Sequence, residues 1–270
     1  MSLRAFELPT ARCGFRHQFW KDNHWDVNWV EGTPGNPFLE KFTDLIIVDP
    51  LESSEVLHQL KQNPQDVGRL HFVDSVWLES GRYWPRNFYE EVLRELIVRI
   101  GQRLDIAAVA YVAGTGPWAR LAAVAAFELG YRRVSLISND SPKSQQDIQR
   151  LSSFCFGLEI EILATAEMTL KPNNGSLLIN TLDLQADRDM LETLLYLNFI
   201  HRPGLIVDIP FTFQLSALMQ EGRGAGFDVV SGVDIRGLYD YLILRRLGVE
   251  VKLEWSAYVA AWRAFLDLLR

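Results

Sequence analysis

A chain of 270 residues, 48% hydrophobic and 23% charged, carries enough apolar mass for one large domain or two small ones packed together. Its formal net charge of −7 leaves no basic footprint, which argues against nucleic acid and anionic membrane surfaces and leaves small molecules and proteins as partners. No run approaches the roughly 18 apolar residues of a membrane span, and the start, Met1 to Glu7, lacks a signal peptide's apolar stretch, so a cytoplasmic protein is expected.

The two cysteines, Cys13 and Cys155, stand far apart with no metal-ligand spacing around either, and the histidines form no His-Glu-x-x-His pattern. Neither a metal nor a disulfide framework is expected, and Cys155, between Phe154 and Phe156, reads as a small buried hydrophobe. His17 and His24 lie among Phe19, Trp20 and Trp25, a stretch suited to packing or partner contact rather than to metal.

In chain order, Trp25 to Val30 alternates like a strand, Asp44 to Val48 is a buried-strand run, and Ser54 to Leu60 reads as a short helix. From Phe88 the pattern becomes regular. Phe88, Val92, Leu93, Leu96, Ile97 and Ile100 share one face of a long amphipathic helix. Strands at 106–113, 134–138, 159–163, 176–180, 205–208 and 228–230 then alternate with helices at 117–129, 142–154, 187–197 and 213–220. Helices at 233–247 and 254–269 close the chain. Strands rich in Val, Ile and Leu between single helices predict a parallel sheet buried on both faces, hence an α/β protein with a doubly wound, Rossmann-type sheet.

The first of those strands runs into Gly114-Thr115-Gly116-Pro117-Trp118-Ala119 and then a helix, which is the dinucleotide fingerprint Gly-x-Gly-x-x-Ala in its required context. The first glycine permits the turn, the second lets backbone approach a pyrophosphate, and the small third residue lets helix and strand pack closely. Pro117 suits the first helical position, and amides at that helix start favour an anion. A bare strand-to-helix turn with nothing bound is the other reading, and Trp118 feeds it, since the indole either stacks on a ligand or fills its place. A methyltransferase turn is a third, although Tyr111-Val112-Ala113 lacks the usual preceding acid. Asp140 follows the second strand, 21 residues beyond Ala119, where a carboxylate accepts from a ribose 2′-hydroxyl and repels a 2′-phosphate. NAD is therefore favoured over NADP, with Asn139 beside it and Asn180 and Thr181 at the end of a later strand completing the cofactor site. Asn139-Asp140-Ser141-Pro142 reads equally well as a turn and helix cap.

Three further segments carry a family resemblance. Asp74-Ser-Val through Gly81, Asn87 and Tyr89 is similar to the Asn-Thr-Val, Gly-x-Leu and Asn-Thr-Asp stretches of the shikimate and quinate dehydrogenases. Asp208-Ile-Pro-Phe211-Thr-Phe213 through Ser216 and Leu218 resembles their Asp-x-x-Tyr-x-Pro-x-x-Thr-Pro-Leu, and Gly232 through Ile235 and Tyr239 resembles their Gly-x-Gly-Met and glutamine. The likeness covers roughly residues 74 to 270. It implies a substrate domain over 1–100, a nucleotide domain over 101–235 with a cleft between them, and final helices over 236–270 returning to the first domain. It also implies a substrate pocket formed by Arg86, Asn87, Tyr89, Phe211, Phe213, Ile235 and Tyr239.

The departures fall where the family's chemistry lies. The family reduces a ketone with NADP(H), using a Lys and an Asp. The Asp position is Tyr89, and the nearest counterpart of the lysine motif, Ile47-Val48-Asp49-Pro50-Leu51-Glu52, has no lysine. The Tyr becomes Phe211, the Pro Phe213, the Met Ile235 and the Gln Tyr239. Ketone reduction needs a positioned proton donor, and of these only Tyr89 and Tyr239 carry one. Arg82 and Arg86 would either grip a substrate carboxylate or stand as solvated charges on a hairpin and a helix start. The expectation is a shikimate dehydrogenase-like, NAD(P)-binding oxidoreductase with altered or lost shikimate activity. The alternatives are a degenerate binding or interaction module and a methyltransferase. A small-molecule ligand is the expected partner, and a homodimer is an assembly open to it.

Overall fold

The computed structural model describes residues 3–7, 14–25, 27–29, 44–60, 64–101 and 103–269, so Cys13 lies outside the described residues. The chain divides into two compact units, one made of Met1–Tyr89 with Arg236–Arg270 and the other of Glu90–Ile235. The first division falls just after Tyr89, the first residue of α4, Tyr89–Ile100.

The second unit is built on six parallel strands: β6 Val109–Ala113, β7 Arg133–Ile137, β8 Glu159–Leu163, β9 Gly175–Asn180, β10 Ile200–Asp208 and β11 Asp228–Ser231. They lie in the order β11-β10-β9-β6-β7-β8. Central β6 and β9 are buried at every residue, which is why Val109–Ala113 and 177–179 read as apolar runs instead of alternating ones. Between the strands come α5 Pro117–Glu128, α6 Ser141–Ser152, α7 Thr165–Met168, α8 Arg188–Leu195 and α9 Ala217–Gly224. The core joins Tyr111, Leu178, Leu194, Phe199 and Ile206. Registry sets Ala113 beside Ile137 and Asn180, Ile137 beside Leu163, and Asn180 beside Asp208, itself beside Ser231. The carboxyl ends of all six strands therefore share one edge, and β6 next to β9 is the point where the winding reverses, the place where such sheets take ligands.

The first unit holds a five-stranded sheet in the order β2-β1-β3-β4-β5, with β1 Leu3–Glu7, β2 Val27–Trp29, β3 Leu45–Ile47, β4 Ser75–Glu79 and β5 Arg82–Arg86. The first three are mutually parallel, and β4 and β5 form an antiparallel hairpin. Ser80 and Gly81 both have positive φ, 51° and 75°, the twist that a two-residue hairpin loop demands. Ile46, Val48, Val56, Val67, Val73 and Val76 form its core together with α2, Ser53–Gln59, and α3, Gln65–Leu70.

The aromatic N-terminal stretch forms α1, Gly14–Asp22, which packs on α11, Trp255–Leu268. Trp20 donates its indole N–H to the Tyr258 hydroxyl at 3.0 Å, Trp25 stacks on Tyr258, and Phe19 meets Trp262 edge-on. Nearby, Arg16 pairs with Asp240 of α10, Gly232–Arg246, at 2.7 Å. Burying two charges is costly unless they meet with good geometry, and this pair is almost wholly enclosed.

Candidate functional site

The glycine turn sits at the carboxyl end of β6. Gly114 has φ +115°, and a Cβ there would lie 2.3 Å from Thr181 Oγ1, so both backbone conformation and close approach require glycine. Thr181 closes on the turn from the end of β9 by donating its N–H and Oγ1 to the Ala113 carbonyl at 3.0 and 2.7 Å. Gly116, at φ +86°, has open space where a Cβ would point. Pro117 then opens α5 without a backbone N–H to satisfy. Ala119 is buried and Trp118 half-buried.

A carboxylate that the sequence reading missed reaches this turn from the middle of α6. Asp147, 2% exposed, accepts from the Gly116 amide at 2.7 Å with Oδ2 and from Arg120 Nη1 at 2.6 Å with Oδ1. Burial pulls the Arg120 guanidinium down from its ordinary range, and its bond to Asp147 opposes that shift.

The other expected cofactor residues line the same strand-end edge. Asp140 caps α6, accepting from the Lys143 N–H at 3.1 Å and pairing with Lys143 Nζ at 3.0 Å, which holds its carboxyl below the usual range. Asn139 Oδ1 accepts from both Thr165 N and Thr165 Oγ1 at 3.1 Å, tying the end of β7 to α7. Asn180 donates to the Leu182 carbonyl at 2.9 Å and to Asp208 Oδ1 at 2.7 Å, while Ser216, the cap of α9, donates to Asp208 Oδ2 at 2.5 Å. Burial nonetheless pushes the Asp208 carboxyl up. Phe211 and Phe213 meet edge to face at 5.5 Å, with Phe211 and Ile235 buried.

In the first unit the structure brings Tyr89 and Tyr239 together and encloses them. Their rings stack with centroids 4.2 Å apart and planes 14° from parallel. The Tyr239 hydroxyl, in a fully buried side chain, donates to the Asp74 carbonyl at 3.0 Å. Burial raises both phenols, Tyr239 well above its usual range. Neither has the depressed affinity for its proton, nor Tyr239 the exposure, that a working proton donor needs.

Asp74, whose carboxylate was not singled out from the sequence, anchors this pair. Oδ2 accepts from the Phe88 and Tyr89 amides at 2.6 and 2.7 Å, capping α4, and Oδ1 accepts from Ser75 Oγ at 3.0 Å. Desolvation outweighs those bonds and lifts its carboxyl to about 7. Arg86 is engaged by Glu79 through Nη2 at 3.0 and 3.1 Å, so its guanidinium is matched within the hairpin, while Arg82 is exposed. Asn87 is half-buried between Arg86 and the helix start. Among the described residues no group of three His, Cys, Asp or Glu converges, and no helix is long and apolar enough to cross a membrane.

Among solved structures, the chain superposes on quinate dehydrogenase from Corynebacterium glutamicum in complex with NAD with a TM-score of 0.73, at 10% identity over 97% of this chain and 98% of that one. The fold is that of the shikimate and quinate dehydrogenases. Shikimate 5-dehydrogenase from Thermus thermophilus in complex with NADP(H) and shikimate gives 0.74, at 17% identity over 97% of this chain and 99% of that one. Shikimate dehydrogenase from Mycobacterium tuberculosis gives 0.70, at 14% identity over 98% and 99%. No protein-family model matches the sequence, and no curated protein matches it. At these identities the likeness concerns architecture, and chemistry has to be argued from the residues present.

Proposed function

We propose that this shikimate dehydrogenase-like protein binds a nicotinamide dinucleotide at the Gly114–Ala119 turn and has lost the shikimate reaction. The stacked, buried Tyr89–Tyr239 pair carries the second half of the proposal. By the family resemblance these positions hold an acid and a glutamine that meet a polyhydroxylated acid. Here two phenol rings fill each other's faces, and one hydroxyl is spent on a backbone carbonyl.

The strand-end edge suits the dinucleotide. Gly116 leaves open space at the turn, Asp140 is a half-buried carboxylate just past the end of β7, and Thr181 holds the loop from β9 against Gly114. Gly116 would face the pyrophosphate and Asp140 the adenosine ribose, which favours NAD over NADP. The bound group would supply a hydride donor or acceptor; the protein's residues bind and orient it. Quinate dehydrogenase with NAD and shikimate 5-dehydrogenase with NADP(H) are structural neighbours whose cofactors are of this class.

Without the family's lysine and aspartate, general acid–base assistance of about 10²–10⁴-fold is missing. Steady-state absorbance of nicotinamide reduction with shikimate and quinate, each with NAD and NADP, is expected to show turnover far below that of an authentic shikimate dehydrogenase. Turnover near that control would overturn the reading. The non-catalytic binding module is the same proposal in its limiting form, favoured by the same tyrosine pair; NAD binding without turnover of any hydroxy acid would mark it. A cytoplasmic location and a homodimeric assembly belong to this proposal too, the latter tested by light scattering.

A further inference from the structure

The buried ion pair beneath the glycine turn has no part in the function just proposed, yet it touches the group on which that function depends. A glycine turn attracts a phosphate because N–H groups at the helix start stand ready for an anion. Here the Gly116 N–H already donates to Asp147 Oδ2 at 2.7 Å. The next residue, Pro117, offers no N–H. The nearest cation on α5, Arg120, points its Nη1 at Asp147 Oδ1, 2.6 Å away, with only 7% of its surface exposed. One donor of the turn and the charge behind it are thus satisfied from within, by a carboxylate itself 2% exposed.

We propose that Asp147 is an internal stand-in for a ligand phosphate and the residue that sets this site's affinity for pyrophosphate-bearing ligands. This rests on the reading of the turn as a dinucleotide site. A pyrophosphate approaching Gly116 meets a carboxylate that holds the same N–H and neutralises the same guanidinium. While that carboxylate is in place, pyrophosphate binds only without either contact. The adenosine half meets Asp140, whose carboxylate keeps acceptor capacity beyond its two Lys143 contacts. The protein should therefore recognise its ligand mainly through the nucleoside and hold the phosphates weakly. Asp147→Asn keeps the side chain's shape, removes the negative charge that faces the Gly116 N–H and Arg120, and makes the turn more attractive to an anion.

The test is isothermal titration of the full chain and of Asp147→Asn with inorganic pyrophosphate, ADP-ribose, adenosine and NAD. The variant is expected to bind pyrophosphate and ADP-ribose about tenfold more tightly or better, the worth of one charge-assisted hydrogen bond, with adenosine unchanged. Equal or weaker pyrophosphate binding by the variant overturns the proposal. The NAD titration reads the dinucleotide site separately. A pyrophosphate gain with no NAD binding by either protein leaves Asp147 in this role and removes the dinucleotide site. Equal NAD and pyrophosphate affinities for both proteins do the reverse. Should loss of the Asp147 charge prevent folding, the Gly116 amide resonance of the unaltered protein decides. It is expected to stay fixed as pyrophosphate is added, and a saturable shift overturns the proposal.

Discussion

Asp74 offers a sharp test of how the first unit is held together. Its carboxyl is raised from 3.8 to about 7 because burial disfavours the charge more than the Tyr89, Ser75 and Phe88 hydrogen bonds favour it. The folded protein therefore holds this proton more tightly than the unfolded chain. The stability it contributes is fully present below pH ~4 and is lost as pH rises through about 7. The difference between 3.8 and about 7 corresponds to about 4 kcal/mol as an upper bound for this one group. Asp74→Asn removes the titration while keeping an oxygen for the Phe88 and Tyr89 amides and placing an N–H toward Ser75 Oγ. Urea unfolding between pH 4.5 and 8 is the assay. The variant should match the parent at the acid end and exceed it by a margin that widens toward neutrality, on the order of 2–4 kcal/mol above pH 7. A difference that does not change with pH would refute the argument, because Asp74 would then be an ordinary ionised cap.

Three further outcomes follow from the geometry. Gly114→Ala should cost at least about 2 kcal/mol in urea unfolding, through positive φ and the Thr181 hydroxyl together, and more than Gly116→Ala, which meets only the backbone penalty; the opposite order would contradict the packing described. Asp140→Arg should shift ligand preference from NAD toward NADP in calorimetry, while loss of the α6 cap lowers stability by about 0.5–2 kcal/mol; NADP binding at least as tight as NAD by the unaltered protein would leave Asp140 a cap alone. Tyr239→Phe should cost about 0.5–1.5 kcal/mol for the hydrogen bond to Asp74, measured by thermal unfolding, and Tyr239→Gln more because the stack with Tyr89 goes too. Equal effects would mean that the ring contact contributes nothing.

The second unit was largely legible in the sequence because a strand buried on both faces is written as an apolar run. The strand at 159–163 emerges as expected and the other sheet strands differ only at their ends, β10 the most. The helix expected at 213–220 begins instead after Ser216, whose hydroxyl accepts from Met219 N, so the cap outweighed the apolar spacing of Phe213. The first unit was harder to read, since its strands are short and its core includes helices of six and seven residues. The Ser80-Gly81 turn between two alternating runs was the available signal for its hairpin.

The candidate site divides in the same way. A glycine forced by φ and close approach leaves a local trace, so Gly114 and Gly116 could be found from spacing, and Asp140 from its distance along the chain. Asp147 leaves none. Its role depends on α6 lying against the start of α5 in one register, which brings residues 116 and 147 together across 31 positions. The Tyr89–Tyr239 stack likewise joins α4 to α10, and its parts were visible only as substitutions at positions where the resemblance expects polar groups. Those substitutions read as candidate acids when considered singly. Considered as a pair they are complementary surfaces, because an aromatic ring gains more from another ring in a dry site than from a ligand hydroxyl it cannot match. A single aromatic side chain at either position would lack a partner, whereas two at facing positions cover each other's faces. The ring pair is thus tied to stability, and variants that replace Tyr89 or Tyr239 with small polar residues must give up the stack between them.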